Sequence, residues 1–281
     1  MKSQTEMAGV RDPNEGSWAE ARGRRGLAGT PNAHASLLYR ILILMCRVIA
    51  VLLGIRIRFE GAEHLPRDAA GRPGGGWIAA GLPHRTWIDP FVLVLALPVE
   101  PRLSWFGDGR AIHRGRFRRW IFARIGGVVP IWPGGGREAV DAHFAAAGSV
   151  LAVGGVFALF PEVGPAVPLE QARPLGGGIG YIAVRTGAPI VPLVLGGAHE
   201  LYLGRRIIVR ALPPIGWREL VGFAANTAPP EAGSRAERDI ARRVTSALHA
   251  LTVDAVAAAH HDAEPAPGSR KVWTGLTRLF H

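Results

Sequence analysis

Short apolar runs alternate with longer helical stretches through most of this sequence, and this alternation constrains the fold more than any other feature. The predicted strands are 55–60, which alternates like an edge strand, 76–81, 128–132, 156–160, 189–195 and 206–211. The predicted helices are 89–97, with Asp89 as N-cap, then 137–152, 177–187 and 231–260, the last from Ile240, Val244, Leu248 and Leu251. Strands alternating with helices are typical of an α/β fold. We therefore expect a mixed, largely parallel central sheet flanked by helices.

Composition limits the classes of protein this chain can belong to. With 281 residues, 48% of them apolar, it can bury a proper core and is not a disordered protein. A formal net charge of +11 favours an anionic partner, such as nucleic acid, an acidic membrane surface, an acidic carrier protein or a phosphorylated cofactor. The single cysteine, Cys46, excludes a disulfide framework and a cysteine zinc site, and there is no HExxH pattern. We expect no metal site.

An apolar segment over 37–55 is about as long as a bilayer-spanning helix, but it contains Arg40 and Arg47. Seven residues apart on a helix, these arginines lie within about 20° of each other and share one stripe. The pattern favours an N-terminal membrane-associated helix that lies in the interface with its cationic stripe towards lipid headgroups. The alternative is a helix packed on the core whose arginines reach out to solvent.

The two ends of the chain differ from the middle in composition. Residues 1–36 are charged and glycine-rich, which predicts a flexible leader. A linker follows residue 260, and 270–281 could form an amphipathic anchor or a frayed tail. The expected organisation is therefore leader 1–36, membrane-associated helix 37–55, α/β domain 56–260, and linker with possible anchor 261–281.

His84 and Asp89 stand five residues apart in "PHRTWIDP", between a predicted strand and a predicted helix. A turn there can bring the carboxylate within hydrogen-bond reach of the imidazole. A carboxylate on one ring nitrogen fixes the tautomer and leaves the other nitrogen to take a proton from a hydroxyl or thiol. On spacing alone, Asp89 could equally be only a helix cap and His84 an ordinary loop histidine.

Four blocks in order carry a resemblance to the glycerolipid, or lysophospholipid, acyltransferase family, whose members include 1-acylglycerol-3-phosphate acyltransferases. "PHRTWIDP" resembles its H-x-x-x-x-D signature, "RWIFARIGGVVPIWPGG" (119–135) its second block, "VFALFPEVG" (156–164) its F-P-E-G-T-R block, and "GAPIVPLVL" (187–195) its fourth. The resemblance covers about residues 37–215. Four ordered blocks are more specific than any one of them.

This resemblance implies an enzyme that moves a fatty acyl group from a coenzyme A or acyl-carrier-protein thioester onto a lipid hydroxyl, with no other cofactor. His84 would deprotonate the acceptor and Asp89 would orient it. Glu162, with Pro161 and Gly164 beside it, would belong to the acceptor site. The expected partners are membrane lipids and the acyl donor, and the expected location is the cytoplasmic face of the cell membrane, as a peripheral or monotopic protein.

The departures from the family pattern concern the acceptor. Val163, Gly164 and Pro165 stand where the family usually has Gly-Thr-Arg, and Pro133 stands where the second block usually ends in arginine. The family is understood to use those arginines for the acceptor's phosphate, and proline cannot replace their bidentate fork. We therefore expect an acceptor other than lysophosphatidate. Trp132 could stack on a sugar or line an acyl groove, or could be a core tryptophan.

A basic aromatic segment, 109–124, ends at Arg124 and is typical of a helix that contacts headgroups, a carrier protein or coenzyme A phosphates. An ordinary solvated face has the same composition. No helix-turn-helix, zinc-finger or RNP pattern accompanies it, so nucleic acid is not an expected partner.

Competing functions have little support in the sequence. A serine hydrolase lacks G-x-S-x-G, and a dinucleotide enzyme would need a third glycine where Tyr181 stands. The remaining alternative is a non-catalytic lipid-binding protein of the same fold at the membrane surface, which intact His84 and Asp89 argue against.

Overall fold

A computed structural model describes residues 33–86, 88–109, 127–131 and 136–265, apart from the side chains of Asp108 and Arg137. Its helices are α1 (Leu37–Leu52), α2 (Asp89–Ala96), α3 (Gly136–Ala152), α4 (Gly178–Thr186), α5 (Trp217–Val221) and α6 (Arg235–Ala263). Its strands are β1 (Arg56–Glu60), β2 (Trp77–Leu82), β3 (Leu103–Asp108), β4 (Val128–Ile131), β5 (Val156–Leu159), β6 (Ile190–Gly196) and β7 (Arg206–Ala211).

The strands form one seven-stranded sheet in the order β1-β7-β6-β2-β5-β3-β4. All neighbouring pairs are parallel except β6 and β7. The prediction of a mixed, largely parallel sheet flanked by helices is confirmed. In register, Ala80 of β2 lies beside Leu159 of β5 and Pro192 of β6. The carboxyl ends of these three strands therefore reach the same edge of the sheet, where open α/β sheets commonly bind ligands.

Helices cover both faces of the sheet. On one face, Ala79 of β2 belongs to a buried cluster with Val92 and Leu93 of α2. On the other, Ile78 of β2 packs with residues of α3, α4 and α6, including Leu248. Every residue of β2 and β6 is buried, because both strands are central and have helices above and below. The predicted edge strand, β1, does lie at an edge of the sheet, and its residues are only partly buried.

One strand and one α-helix of the structure lie outside the predicted set. Strand β3 reads "LSWFGD", and the serine, glycine and aspartate interrupt the apolar run that would indicate a strand. Ser104 is nevertheless buried, because β3 lies between β5 and β4. Helix α5 has only five residues, too short for a helical period to be visible in sequence.

The long carboxy-terminal helix is present where the sequence predicts it, but one residue assigned to its apolar face and the end of the helix differ from the prediction. Val244 and Leu248 are fully buried, whereas Leu251 is 47% exposed, so its assignment to the apolar face is wrong. A 29-residue helix covers the sheet along only part of its surface, and Leu251 lies on the other part. Helix α6 continues to Ala263, so the predicted domain boundary after residue 260 falls inside it.

Helix α1 ends at Leu52 rather than at residue 55, and its two arginines hydrogen-bond to the domain. Arg40 forms an ion pair with Glu100, and Arg47 donates from Nη2 to the carbonyl oxygens of Leu95 and Leu97, each at 3.1 Å. The cationic stripe therefore hydrogen-bonds to acceptors at and beyond the end of α2 while staying exposed, and its orientation towards headgroups stays a prediction. Both arginines also stay exposed to solvent, so the alternative of a helix packed on the core stays a prediction. No helix within the described ranges is both long and apolar enough to cross a membrane.

Candidate active site

His84 and Glu162 come together because they follow neighbouring parallel strands. His84 lies two residues beyond the end of β2, and Glu162 lies three residues beyond the end of β5. The register of β2 and β5 brings both segments to the same edge of the sheet. His84 donates its backbone N–H to Glu162 Oε2 at 3.0 Å, across 78 residues of sequence.

The Asp89 carboxylate organises the turn between β2 and α2. Its Oδ2 accepts from the backbone N–H groups of Arg85 and Thr86, both at 2.7 Å, and Oδ1 accepts from the Thr86 hydroxyl at 3.2 Å. Asp89 is the first helical residue of α2, and Ile88 occupies the N-cap position without a side-chain hydrogen bond. The Asp89 side chain accepts hydrogen bonds from the preceding turn instead. The predicted capping role of Asp89 is therefore wrong.

The same carboxylate holds the His84 imidazole. His84 Nδ1 lies 3.0 Å from Asp89 Oδ2. The Asp89 side chain is 1% exposed, and that of His84 is 41% exposed. A carboxylate that already accepts two amide protons at Oδ2 can only accept there, so Nδ1 carries the hydrogen, and in the neutral ring Nε2 keeps its lone pair. The predicted contact between these two residues is present, and the arrangement leaves a proton-accepting nitrogen on a partly exposed ring.

An aromatic ring supports the imidazole from one side. His84 stacks on Phe160, with ring centroids 4.5 Å apart and planes inclined by 30°. This stacking needs glycine at position 81, since a Cβ there would lie 2.4 Å from Phe160 Cε1. Strand register explains this contact. Ala80 of β2 lies beside Leu159 of β5, and Gly81 and Phe160 are the residues that follow these two.

Glu162 is sealed in protein rather than open to a ligand. Its side chain is 0% exposed, and its nearest cation is Arg173, whose Nε lies 3.8 Å from Oε2. Besides the His84 amide, it accepts the backbone N–H of Arg173 at Oε1, at 3.2 Å. Glu162 therefore holds the backbone of His84 in this structure, and the prediction that it contacts the acceptor stays a prediction.

Arg173 is the residue of this cluster that sequence reasoning missed. Its Nη2 donates to the carbonyl oxygen of His84 at 3.2 Å. No family block contains it, because it lies eleven residues beyond Glu162. A signal was present, however. A buried carboxylate needs a cationic partner, and Arg173 is the only lysine or arginine between Pro161 and Arg185.

A second arginine, Arg85, follows His84 and was also not predicted. Its Nη2 donates to the carbonyl oxygens of Gln171 and, at 3.5 Å, of Pro168. Burial lowers the pKa of the Arg85 guanidinium, and Arg173 lowers it further, while the negative charge of Glu162 opposes this shift. Both arginines are thus hydrogen-bonded to protein carbonyl groups.

The other predicted site residues are less informative. Pro161 is buried, and Gly164 is exposed in the left-handed region with φ of 90°. Trp132, Arg124, the rest of 110–126, most of the predicted leader and the predicted carboxy-terminal anchor lie outside the described residues. Among the described residues, no group of three or more histidine, cysteine, aspartate or glutamate side chains is arranged to hold a metal ion.

Comparison with known families defines the class of this protein. The chain matches the model of a family described as Acyltransferase over residues 56–196, which is half of its 281 residues. It therefore belongs to that acyltransferase family and is an acyltransferase enzyme. The matched range begins with β1 and ends with β6, so it includes His84, Asp89, Glu162 and Arg173.

One solved structure that is similar to this chain is the crystal structure of the 1-acyl-sn-glycerophosphate (LPA) acyltransferase PlsC from Thermotoga maritima. It shares 19% sequence identity and a TM-score of 0.48, and the match covers 76% of this chain and 78% of that one. No curated protein sequence matches the chain significantly.

Proposed function

We propose that this acyltransferase transfers a fatty acyl group from a coenzyme A or acyl-carrier-protein thioester to a hydroxyl group of a lipid. The observation that carries the proposal is the His84 imidazole, which is tied through Nδ1 to the buried Asp89 carboxylate and is 41% exposed. This is the arrangement of a general base whose tautomer is fixed by a carboxylate.

In this mechanism, His84 Nε2 takes the proton of the acceptor hydroxyl as the oxygen attacks the thioester carbonyl carbon. The new C–O bond produces a tetrahedral oxyanion, and Asp89 stabilises the imidazolium that forms beside it. The oxyanion collapses, the C–S bond breaks, and the leaving thiolate takes the proton from Nε2. Ester and free thiol are the products, and His84 returns to its starting state without a covalent acyl-enzyme.

We further propose that the acceptor carries no phosphate where the family pattern would place one. The family's two motif arginines are absent from their positions, and the two arginines near Glu162 each use Nη2 for a protein carbonyl group, while Arg85 Nε and Nη1 and Arg173 Nε have no hydrogen-bond partner among the described residues. Arg173 donates to the His84 carbonyl group, and Arg85 donates to carbonyl groups at 168 and 171. A glycolipid or another hydroxylated lipid fits this arrangement of charges.

Membrane association is the third part of the proposal, and α1 supports it. The helix exposes a set of large apolar side chains: Leu37, Leu38, Ile41, Leu44, Met45, Val48, Ile49, Val51 and Leu52. Arg40 and Arg47 are also exposed, but they hydrogen-bond to the domain, and most of the exposed side chains of α1 are apolar. Such a helix, with its apolar side in the acyl boundary, would give peripheral or monotopic attachment. We place it on the cytoplasmic face, where both kinds of thioester donor are available.

The activity is tested with an acceptor panel. Wild-type protein is supplied with lysophosphatidate, uncharged glycolipids and other hydroxylated lipids, each with acyl-CoA and with acyl-carrier protein, and products are identified by mass spectrometry. We expect His84→Ala to lose acyl transfer, while His261→Ala, at an exposed histidine, keeps it. Equal turnover by His84→Ala would contradict the base role and favour a lipid-binding protein. Preference for lysophosphatidate would contradict the acceptor proposal.

Membrane attachment is tested separately by co-sedimentation with vesicles of mixed neutral and anionic lipids. We expect Leu44→Asp to reduce binding, because Leu44 is 63% exposed on α1. Leu251→Asp places the same charge at another exposed leucine, on α6, and is expected to bind like the wild type. Equal binding by both variants would contradict attachment through α1.

A further inference from the structure

The connection between β5 and α4 folds back on itself at the edge of the sheet. Glu162 and Leu175 form an antiparallel bridge, Val163 N donates to Pro174 O at 2.9 Å, and Gly176 N donates to Pro161 O at 2.7 Å. These contacts close residues 163–174 into a loop, called here the return loop. Its closure brings Arg173 back beside the start of the loop and therefore beside Glu162.

The return loop and the His84 turn are joined by hydrogen bonds in both directions. Arg173, in the loop, donates to the carbonyl oxygen of His84, and Arg85, in the turn, donates to the loop carbonyl group of Gln171. Glu162 accepts from the backbone N–H of both His84 and Arg173. Both backbone polar groups of His84 are thus bound from this side of the site.

We propose that Arg173 is a positioning residue for His84, and that it acts by fixing the main chain from which the imidazole projects. The inference rests on the proposed base role of His84. Asp89 and Phe160 hold the ring, but they can place Nε2 only relative to a fixed backbone. Arg173 fixes that backbone at the carbonyl oxygen of His84. It also lies beside the buried Glu162 carboxylate, which fixes the same backbone at the amide nitrogen of His84.

Charge supports the same role. The Glu162 side chain is fully buried, and a buried carboxylate without a cation is strongly destabilising. Val163, Gly164 and Pro165 provide none immediately after Glu162, and the return loop supplies Arg173 instead. An arginine at this place can donate to a carbonyl oxygen and neutralise a carboxylate at the same time, because its planar guanidinium has five donors.

The experiment uses the full-length protein and the variants Arg173→Met and Arg173→Lys. Arg67→Met is the matched control, since Arg67 also donates to a carbonyl oxygen, that of Gly71 at 3.0 Å, but on an exposed turn within the amino-terminal part of the domain. Two quantities are measured: kcat and KM for the best acceptor, and the imidazole 1H–13C signals of the protein. The His84 signal is the one missing from His84→Ala.

If Arg173 positions His84, Arg173→Met should lower kcat by about 10- to 100-fold, because small misplacements of a reacting group have effects of this size. KM for the acceptor should change by less than about threefold, since uniform substrate binding is not affected. The His84 signal should shift or broaden. Arg173→Lys, which keeps the charge and one donor, should lie between wild type and Arg173→Met, and Arg67→Met should match the wild type.

Unchanged kcat together with an unchanged His84 signal would overturn the inference. So would a large increase in KM for anionic acceptors with kcat preserved, because that result would make Arg173 a ligand of the acceptor. If Arg173→Met does not fold, the intermediate effect of Arg173→Lys decides. If the wild type transfers no acyl group to any acceptor, the proposed function fails, while the His84 signal still shows whether Arg173 positions the imidazole.

Discussion

Asp89 and Glu162 are two buried carboxylates on either side of the same histidine, and they reach it by different routes. Asp89 is 1% exposed and Glu162 is 0% exposed. Among the described residues, the hydrogen-bond partners of the Asp89 side chain lie within five residues of it, whereas Glu162 binds His84 across 78 residues and Arg173 across eleven. Asp89 holds the ring of His84, and Glu162 holds its main chain. A short motif can thus build the proton-accepting group, but the fold must place it.

The largest effect is expected from Asp89→Asn. The amide oxygen can still accept at the Oδ2 position, and the amide nitrogen can donate to the Thr86 hydroxyl, so the turn should keep its shape. The charge that stabilises the imidazolium is lost, and we expect kcat to fall by about 10³-fold or more, as for other histidine–aspartate pairs. Steady-state kinetics at saturating acceptor measure this loss.

Asp68→Asn is the matched control for that variant. Asp68 likewise accepts two backbone N–H groups, those of Ala70 and Arg72, both at 2.9 Å, but in an exposed turn. It should retain wild-type kcat. A smaller loss in Asp89→Asn than in Glu162→Gln would reverse the proposed ranking of the two carboxylates.

Glu162→Gln is expected to have the second-largest effect. Its carbonyl oxygen can accept only one of the two amide protons, and the charge beside Arg173 is removed. We expect kcat to fall by about 10- to 100-fold, because the imidazole stays tied to Asp89 while its backbone shifts. Glu170→Gln, at an exposed carboxylate of the return loop, should change kcat less than twofold, by the small effect usual for surface sites. Equal kcat in the two variants would remove Glu162 from the positioning network.

Gly81→Ala tests the stacking of Phe160 on the His84 ring, which involves neither carboxylate. The added Cβ would lie 2.4 Å from Phe160 Cε1, so the ring must move away from His84. With both hydrogen-bonded anchors intact, we expect a loss of kcat of only about 10-fold. Gly148→Ala adds a methyl group at 3.4 Å from Thr186 Cγ2, within a helix, and is the control. A Gly81→Ala enzyme with wild-type kcat would show that stacking contributes nothing.

The smallest effect on activity is expected at a third buried carboxylate, Glu237, which lies away from His84. Burial raises its pKa, but hydrogen bonds from Arg185 and from the Gly233 amide outweigh burial, and the net pKa is lowered. A lowered folded-state pKa stabilises the fold above the unfolded value of 4.5, and this stabilisation is lost as pH falls through the folded pKa. Glu237→Gln should leave kcat unchanged. It should lower the free energy of unfolding at pH 7 by about 2 kcal/mol. Below about pH 5, the free energy of unfolding of this variant should fall less with pH than that of the wild type.

Chemical denaturation at pH 7, 5, 4 and 3 measures that difference. The wild type should lose more stability than Glu237→Gln between the two ends of this range. Parallel curves for the two proteins would show that Glu237 has no lowered pKa in the folded state. A large loss of kcat at pH 7 would show that buried carboxylates affect activity through global stability, and would remove the distinction drawn between Asp89 and Glu162.

Much of the sheet could be predicted from sequence because its strands are apolar runs between glycine-rich connections. The failures have physical reasons. Strand β3 contains Ser104 and Gly107, so its burial depends on its neighbours β5 and β4 rather than on its own composition. The partners of α1 could not be predicted, because helical spacing shows that Arg40 and Arg47 share a stripe, but not that Glu100 and the carbonyl groups of 95 and 97 would accept hydrogen bonds from it.

By itself, the sequence determined the α/β class, the family blocks and the contact of His84 with Asp89. Periodicity and a five-residue turn are local properties, and local hydrogen bonds need no information from the rest of the chain. Tertiary structure alone decided that the Glu162 side chain is sealed, that Arg173 is the cation beside it, and that Phe160 lies against His84 above Gly81. These contacts depend on strand register and loop closure, which join residues far apart in sequence and are set by packing over the whole sheet.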